Sequence, residues 1–92
     1  WLCAITFNDG VKVKGDDGCG TTEAMRRMLE KDNIETRHLW KPMHLQPVFS
    51  GCPAYVNGIS EGLFNRGLCI PAGPYVGDAE IMRVVNSIKS AL

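Results

Sequence analysis

The sequence lacks any long apolar run, and nothing in it resembles a signal peptide. A helix that crosses a bilayer needs about 20 consecutive apolar residues, and no segment of the 92 residues approaches that length. The chain also lacks net charge, since ten basic residues balance ten acidic ones. We therefore expect neither nucleic acid nor a membrane surface as a partner, because no overall field would attract them.

Metal-binding motifs are lacking as well. The four cysteines, at positions 3, 19, 52 and 69, form no C-x-x-C pair, and the two histidines are not at helical spacing, so a zinc site is not expected. The even number of cysteines would allow disulfides. However, Cys3 and Cys69 lie in apolar, strand-like runs, where cysteine is usually a small buried hydrophobic residue. We therefore favour reduced thiols in a cytoplasmic protein.

An initiator methionine is also missing, and Trp1 falls inside a predicted strand. We expect from this that residues 1–92 form a single domain of a longer protein. The composition, 45% hydrophobic and 22% charged, is typical of a globular domain. A chain of this length supports one modest core.

Four segments predict strands. Residues 1–7, WLCAITF, are apolar on both alternating faces, which predicts a strand covered on both sides. Residues 11–14, VKVK, alternate as a half-exposed edge strand does, and they lead into the loop GDDGCG, which we expect to be weakly ordered. Residues 34–40, IETRHLW, predict a strand that stays extended before Pro42. The last predicted strand is LCIP at residues 68–71.

Three segments predict helices, each with a candidate N-terminal cap: Thr21, Ser60 and Asp78. The first helix has an apolar stripe of two methionines and a leucine, an Arg26–Glu30 pair at i,i+4, and Asn33 as its stop. The second covers residues 58–67, where Glu61 and Arg66 are expected to pair on the surface. The third helix, residues 78–92, should bury one apolar face. That face comprises Ile81, Val84, Val85, Ile88 and Leu92.

Apart from the edge strand at residues 11–14, the predicted order is strand, helix, strand, long loop, helix, strand, helix. Strands that alternate with helices in so short a chain indicate an α+β fold. We expect one small, largely antiparallel sheet with its helices packed on one face.

Most of the polar and aromatic chemistry lies in one irregular segment, residues 35–49, ETRHLWKPMHLQPVF. Lysine suits a phosphate or a sugar carboxylate, so Lys41 is either a ligand-binding cation or a solvated surface residue. His44 could hydrogen-bond a ligand, or be satisfied by backbone in a turn. Arg37 could hold a carboxylate with its guanidinium or pair with an acidic neighbour across the sheet.

Two further residues of this segment have alternative roles. Trp40 offers a flat face for a sugar or base, although a tryptophan at the end of a strand is more often part of the core, which we favour. Gln46 could contact substrate or hold the loop. His38 is expected to be a surface residue of the strand.

Two motifs in this chain resemble a known family. ETRHLWKPMHLQPVF, followed by SEGLFNRGLCIPAG at residues 60–73, is similar to the C-terminal region of the DegT/DnrJ/EryC1/StrS aminotransferases. Both motifs occur in the family's order and at its spacing, and the resemblance extends over nearly the whole chain. His38 stands where the family usually has proline, and Ala72 where it usually has serine. Residues 11–20 match no part of the pattern.

The resemblance implies a small C-terminal domain of a type I aminotransferase fold, with an N-terminal large domain elsewhere in the polypeptide. Such enzymes use pyridoxal phosphate to move an amino group, usually from glutamate, to a nucleotide-linked keto sugar, and a homodimer is expected. None of the five lysines lies in the family's Schiff-base motif. This chain alone is therefore expected to bind no cofactor, to carry no catalytic residue and to be inactive.

The resemblance also favours a substrate-binding role for the irregular segment. It implies that Lys41, His44 and Arg37 position substrates, with Trp40 and Gln46 as further candidates. A protein of another class would fit the composition equally well: a free-standing α+β module that binds a ligand or a partner without catalysis. An upstream coding sequence of a few hundred residues would distinguish the two.

Overall fold

The computed structural model describes residues 2–92; Trp1, the first residue of the first predicted strand, lies outside them. Two short 3-10 turns, Met43–Leu45 and Pro47–Phe49, occupy the long loop. The main elements, in chain order, are β1 (Cys3–Thr6), α1 (Thr21–Lys31), β2 (Arg37–His38), α2 (Ile59–Arg66), β3 (Gly67–Ile70) and α3 (Asp78–Ala91).

The three strands form one sheet in the order β1-β3-β2, and both pairings are antiparallel. Helix α1 packs against β2, β3, α2 and α3, so it is the centre of the core. The largest fully buried side chains are Met25 and Leu29 of α1 and Leu68 of β3. This arrangement confirms the predicted α+β fold with a small antiparallel sheet.

Helix α1 ends as the sequence predicts. Asn33 adopts a left-handed conformation with a φ of 55°, and its amide donates to the Glu30 carbonyl at 3.0 Å. The amide of Ile34 donates to the Leu29 carbonyl at 2.9 Å, which completes a Schellman motif. The predicted Arg26–Glu30 pair is present, with a nitrogen–oxygen distance of 3.1 Å.

The three predicted N-terminal caps are wrong by one or two residues. The capping positions are Gly20, Gly58 and Gly77, none of which offers a side chain. Thr21 is instead the first helical residue, and its hydroxyl donates to the Val11 carbonyl at 3.0 Å. At the start of α3 a side chain within the helix bonds to the capping residue, since the Gly77 amide donates to the Glu80 carboxylate at 3.0 Å.

Residues 11–14 do not form the predicted edge strand. Val13 is buried and Val11 packs against the same core, while Lys14 donates from its amide to the Ala91 carbonyl at 2.8 Å. The alternation therefore reflects a loop that covers the end of α3. In the following loop Asp16 accepts the amide hydrogens of Gly18 and Gly20 at 3.0 and 3.2 Å, which gives the expected weakly ordered stretch a defined turn.

Helix α3 buries only part of the predicted face. Val84 is buried and Ile88 packs against the core, as predicted. Ile81 and Leu92 are exposed, and Ser87 and Ala91 are buried in their place. The face is shifted because α3 packs on α1 and is fixed there by polar bonds to the end of α1. The Ser87 hydroxyl donates to the Asp32 carboxylate, and a guanidinium of the same helix donates to the Asp32 carbonyl.

The exposure of β1 and of Cys3 corrects two further expectations. In β1, Cys3, Ala4 and Thr6 are exposed and Ile5 is half-buried, so this strand is not covered on both sides. Cys3 is exposed, whereas Cys69 is buried as predicted, and all four thiols are free. No helix formed by residues 2–92 combines the length and the apolar character needed to cross a membrane.

The predicted strand at residues 34–40 is reduced to two residues, which pair with Cys69 and Leu68 of β3. The predicted Glu61–Arg66 pair is also wrong. The Arg66 side chain donates to the Gly62 carbonyl at 3.3 Å, and the Glu61 carboxylate lies 3.9 Å from the ring of His44.

Candidate functional site

The sheet has an open face, defined here as the face turned away from α1. Ala4 and Arg37 are both paired with Cys69, so these three side chains lie on it in one row across the sheet. The segment after β3 passes along the same side. Arg37, Cys69 and this segment border a groove of about 600 Å³, which we call the sheet-face groove.

Arg37 stands on the rim of this groove and is paired with Glu35. Its Nε and one terminal nitrogen donate to the same Glu35 oxygen at 2.9 and 2.7 Å. The acidic partner is therefore two residues earlier on the same segment, and not across the sheet as the sequence suggested. Both side chains are well exposed, at 80% and 75%, and ion pairs of this kind hold their partners weakly. A ligand carboxylate could replace Glu35 without a large cost.

Two aromatic rings line the same groove. Trp40 is 69% exposed, so the expectation that it belongs to the core is wrong. The chain leaves the sheet at His38, two residues before it. Tyr75, which follows β3, is 92% exposed. The groove thus combines a guanidinium with two accessible aromatic faces, a set suited to flat or ring-shaped anionic ligands.

His44 lies in a different place. It lines a second pocket of about 330 Å³ with Met43, Phe49 and Tyr55, which we call the loop pocket. Its side chain is 20% exposed, and its Nε2 lies 3.9 Å from a carboxylate oxygen of Glu61. That separation is too long for a direct hydrogen bond, so the ring nitrogen remains able to bond to a ligand.

Lys41 and Gln46 occupy the connection between the two pockets. Lys41 is exposed, and its carbonyl accepts a hydrogen bond from the Gln46 amide group at 2.9 Å. That bond closes the first 3-10 turn, so the side chain of Gln46 holds the loop, which is one of the two roles open to it. The structure therefore places Arg37 and Trp40 together, His44 apart from them, and Lys41 on the segment that joins them.

A charge cluster on the helix side fixes the position of β2. The ring of His38 lies 3.0 Å from a Glu23 carboxylate oxygen, which confirms that His38 is a surface residue of the strand. Glu23 also accepts hydrogen bonds from Arg26 at 2.8 and 3.0 Å and from Arg27 at 2.9 Å. Hydrogen bonds from Arg26 first, then from His38 and Arg27, hold the pKa of the Glu23 carboxyl far below its usual range. Strand β2, and with it the start of the irregular segment at residues 35–49, is thereby joined to α1.

Sequence reasoning missed two residues of this site. Glu35 was not considered as the partner of Arg37, although its place two residues earlier puts it on the same side of an extended chain. Tyr75 was not considered as a candidate residue. The signal that could have identified it is an aromatic residue in a Gly-Pro-rich stretch directly after a buried strand, because loops at strand ends often carry ligand contacts.

Comparisons with known proteins identify the family of this chain. Over 90 residues the chain is 35% identical to the "Putative pyridoxal phosphate-dependent aminotransferase EpsN" of Bacillus subtilis (strain 168). The alignment covers 94% of this chain but 21% of the relative, so the chain spans about a fifth of that protein's length. A profile of the DegT/DnrJ/EryC1/StrS aminotransferases matches residues 10–89, which include β2, β3 and every residue that lines the two pockets except Leu2. The chain belongs to the DegT/DnrJ/EryC1/StrS aminotransferase family.

Proposed function

We propose that this chain is the small C-terminal domain of a cytoplasmic aminotransferase. The complete enzyme would move an amino group from glutamate to a nucleotide-linked keto sugar with pyridoxal phosphate. Family membership supports the reaction class, and the observation that carries the role of this chain is the sheet-face groove. Its guanidinium and two exposed rings suit a substrate that has both an anionic group and a flat ring. The free thiols are compatible with a reducing compartment.

The side chains of the irregular segment, residues 35–49, would position substrates. Arg37 would exchange its weak pair with Glu35 for the carboxylate of the amino donor, because a bidentate carboxylate geometry is available to a guanidinium. Lys41, exposed on the connection between the pockets, would bind a phosphate oxygen. His44 would hydrogen-bond a hydroxyl or a diphosphate oxygen in the loop pocket. Trp40 would stack on a ring, and Gln46 would keep the loop in shape.

The described residues do not fit a pyridoxal phosphate site by themselves. A lysine that holds this cofactor must be sheltered in a cleft, whereas all five lysines of this chain are exposed. When bound, the cofactor supplies the electron sink for the reaction. We therefore assign no chemical step to this chain, and propose that the cofactor lysine belongs to an N-terminal large domain.

An exposed apolar surface supports the presence of such a domain. Several large hydrophobic side chains of the loop and of α2 are exposed to solvent, although monomeric proteins rarely leave contiguous patches of this kind uncovered. Packing against the large domain, or across a homodimer of complete enzymes, would cover them. The side chains concerned are Trp40, Met43, Val48, Tyr55, Val56, Ile59 and Leu63.

The test uses the complete protein and follows the two half-reactions separately by the absorbance of the cofactor. Lys41→Ala should weaken the half-reaction with the nucleotide-linked keto sugar, and Arg37→Ala the half-reaction with glutamate. Each should lose about ten- to a hundredfold in affinity, the value of one charge-assisted hydrogen bond. Lys89→Ala and Arg66→Ala are matched controls, because both are exposed charges away from the two pockets.

Three outcomes would contradict the proposal. Equal damage to both half-reactions from one variant would mean that the residue supports the fold. Unchanged kinetics in both variants would mean that Arg37 and Lys41 do not contact substrate. A complete protein that transfers no amino group from glutamate to any nucleotide-linked keto sugar would reject the proposed reaction itself.

A further inference from the structure

Arg37 is held by a single carboxylate oxygen. Its Nε and one terminal nitrogen both donate to Oε1 of Glu35, at 2.9 and 2.7 Å, and within residues 2–92 the other oxygen of that carboxylate accepts no hydrogen bond. A guanidinium binds a carboxylate most strongly through two parallel hydrogen bonds, one to each oxygen. A carboxylate that is free to orient itself in the sheet-face groove can form that arrangement, so it competes favourably with Glu35 for Arg37.

The pair between Glu35 and Arg37 is also easily opened and easily restored. Both side chains are exposed, and exposed ion pairs contribute little free energy, so the released carboxylate returns to water at a small loss. Glu35 is only two residues from Arg37 in the chain, which keeps its local concentration high. Glu35 therefore reoccupies Arg37 whenever no other anion is bound there.

The proposed function, on which this inference rests, makes two different demands on Arg37. Glutamate brings a carboxylate to the groove, whereas the sugar ring of a nucleotide-linked keto sugar brings hydroxyl and keto groups. A guanidinium that is covered by such a ring loses its water and gains no counter-charge, which is unfavourable. The same cation therefore has to be available for the first substrate and neutralised for the second.

We propose that Glu35 is the residue that allows Arg37 to serve both substrates. It withdraws when the donor carboxylate binds, and it remains on Arg37 when the keto sugar occupies the groove, which Glu35 itself borders. Glu35 is thus a positioning residue that forms no covalent bond and transfers no proton in the reaction. Because Arg37 must first release Glu35, the observed affinity for a carboxylate is reduced by the fraction of molecules in which Arg37 is free. Removal of the Glu35 charge should therefore strengthen carboxylate binding.

Two dianionic probes test this in the complete protein. Glutarate has both carboxylates of glutamate without its amino group. UDP-glucose carries its charge on a diphosphate and has no carboxylate, so a general change in the charge of the protein affects both probes alike. In Glu35→Gln, the ratio of the dissociation constant of UDP-glucose to that of glutarate should rise about two- to tenfold, measured by titration calorimetry. The probe dTDP-glucose replaces UDP-glucose if it binds more tightly.

Two further variants show whether the effect passes through Arg37. Glu30→Gln removes a carboxylate that borders the same cleft as Glu35 but is bonded to Arg26, so it should leave the ratio within about twofold of its original value. Arg37→Ala should weaken glutarate binding. When Glu35→Gln is added to Arg37→Ala, the ratio should not change further, because the group for which Glu35 competes is already gone.

The outcomes separate this inference from the proposed function. An unchanged or lower ratio in Glu35→Gln, with glutarate still weakened by Arg37→Ala, would overturn the role of Glu35 and leave the proposed role of Arg37 intact. A rise in the ratio that persists in the Arg37→Ala background would do the same. Glutarate binding that does not respond to Arg37→Ala would overturn both roles. A protein that binds neither nucleotide sugar would reject the nucleotide-linked substrate, and the role of Glu35 with it.

Discussion

The two faces of the three-stranded sheet differ in how completely their side chains are satisfied. On the helix side, Leu68 is fully buried and His38 has a carboxylate partner 3.0 Å away. On the open face, Arg37 is held only by an exposed pair with Glu35, and Trp40 is 69% exposed. The helix side is a packed core, whereas the open face carries the exposed side chains for which we propose a role in substrate binding.

The largest expected difference between the exposed and the buried parts of the molecule is in the rate of amide exchange, which we compare for the loop at residues 41–57 and for α1. The amides of the loop at residues 41–57 bond only to carbonyls three residues away, as Leu45 does to Pro42 at 3.0 Å, and all of this segment lies at the surface. Local opening there should need little free energy, whereas opening α1 requires global unfolding. We expect the loop amides to exchange at least about a thousandfold faster than those of α1, measured by NMR. Equal protection in both regions would show that the loop is a structural unit in its own right.

Removal of a core side chain should have the largest effect on stability. Leu68→Ala leaves a cavity between β3 and α1, because this side chain is fully buried. We expect a loss of about 2–5 kcal/mol in the free energy of unfolding, measured by urea denaturation. Given the modest core of so short a chain, this variant could be largely unfolded at 25 °C. A loss below about 1 kcal/mol would mean that the helix side is not a packed core.

Gly67→Ala should cause the next largest loss in the free energy of unfolding. An added Cβ at this position would lie 2.6 Å from the Leu63 carbonyl oxygen and would overlap the side chain of Leu39. The backbone atom cannot move without shifting the end of α2, so we expect a loss of about 1–3 kcal/mol. The control is Gly73→Ala, where an added Cβ meets no atom within 4 Å. Equal stability of the two variants would contradict the close approach of α2 and β3.

Low pH should weaken the contact between Glu23 of α1 and His38 of β2. The folded-state pKa of Glu23 lies below its ordinary value of 4.5, so its contribution to stability is complete above that value and is lost as the pH falls toward the folded pKa. Glu23→Gln should cost about 1 kcal/mol at neutral pH, the sum of a few partly exposed ion pairs. The difference between variant and parent should shrink below pH 4.5. A difference that does not change with pH would contradict this assignment.

The smallest expected effect on stability is at the open face. Trp40→Ala should change the free energy of unfolding of this chain by less than about 0.5 kcal/mol, because the side chain is mostly exposed and surface changes are usually this small. Thermal denaturation would measure it. If Trp40→Ala costs as much as Leu68→Ala, the two faces do not differ in the way described above.

The sequence by itself determined the elements whose signals are local. The Schellman end of α1 follows from Asn33, and the Arg26–Glu30 pair from i,i+4 spacing. The α+β order follows from alternating apolar patterns, and the two motifs at residues 35–49 and 60–73 indicated the family that the profile match then established. The candidate residues of the segment at 35–49 were likewise identified by their chemistry, although their binding roles remain predictions.

Tertiary structure alone decided which faces are covered. Period-two alternation is the same in a strand and in a loop that inserts alternate valines into a core, so residues 11–14 could not be assigned from sequence. The buried face of α3 depends on the bonds from Ser87 and its neighbours to Asp32, which lie far apart in the chain. Trp40 is exposed and lies two residues beyond the end of β2 at His38, and the end of a strand depends on its pairing with residues that are distant in sequence. Burial is a property of what packs against a residue, and the residues that pack together here are distant in sequence.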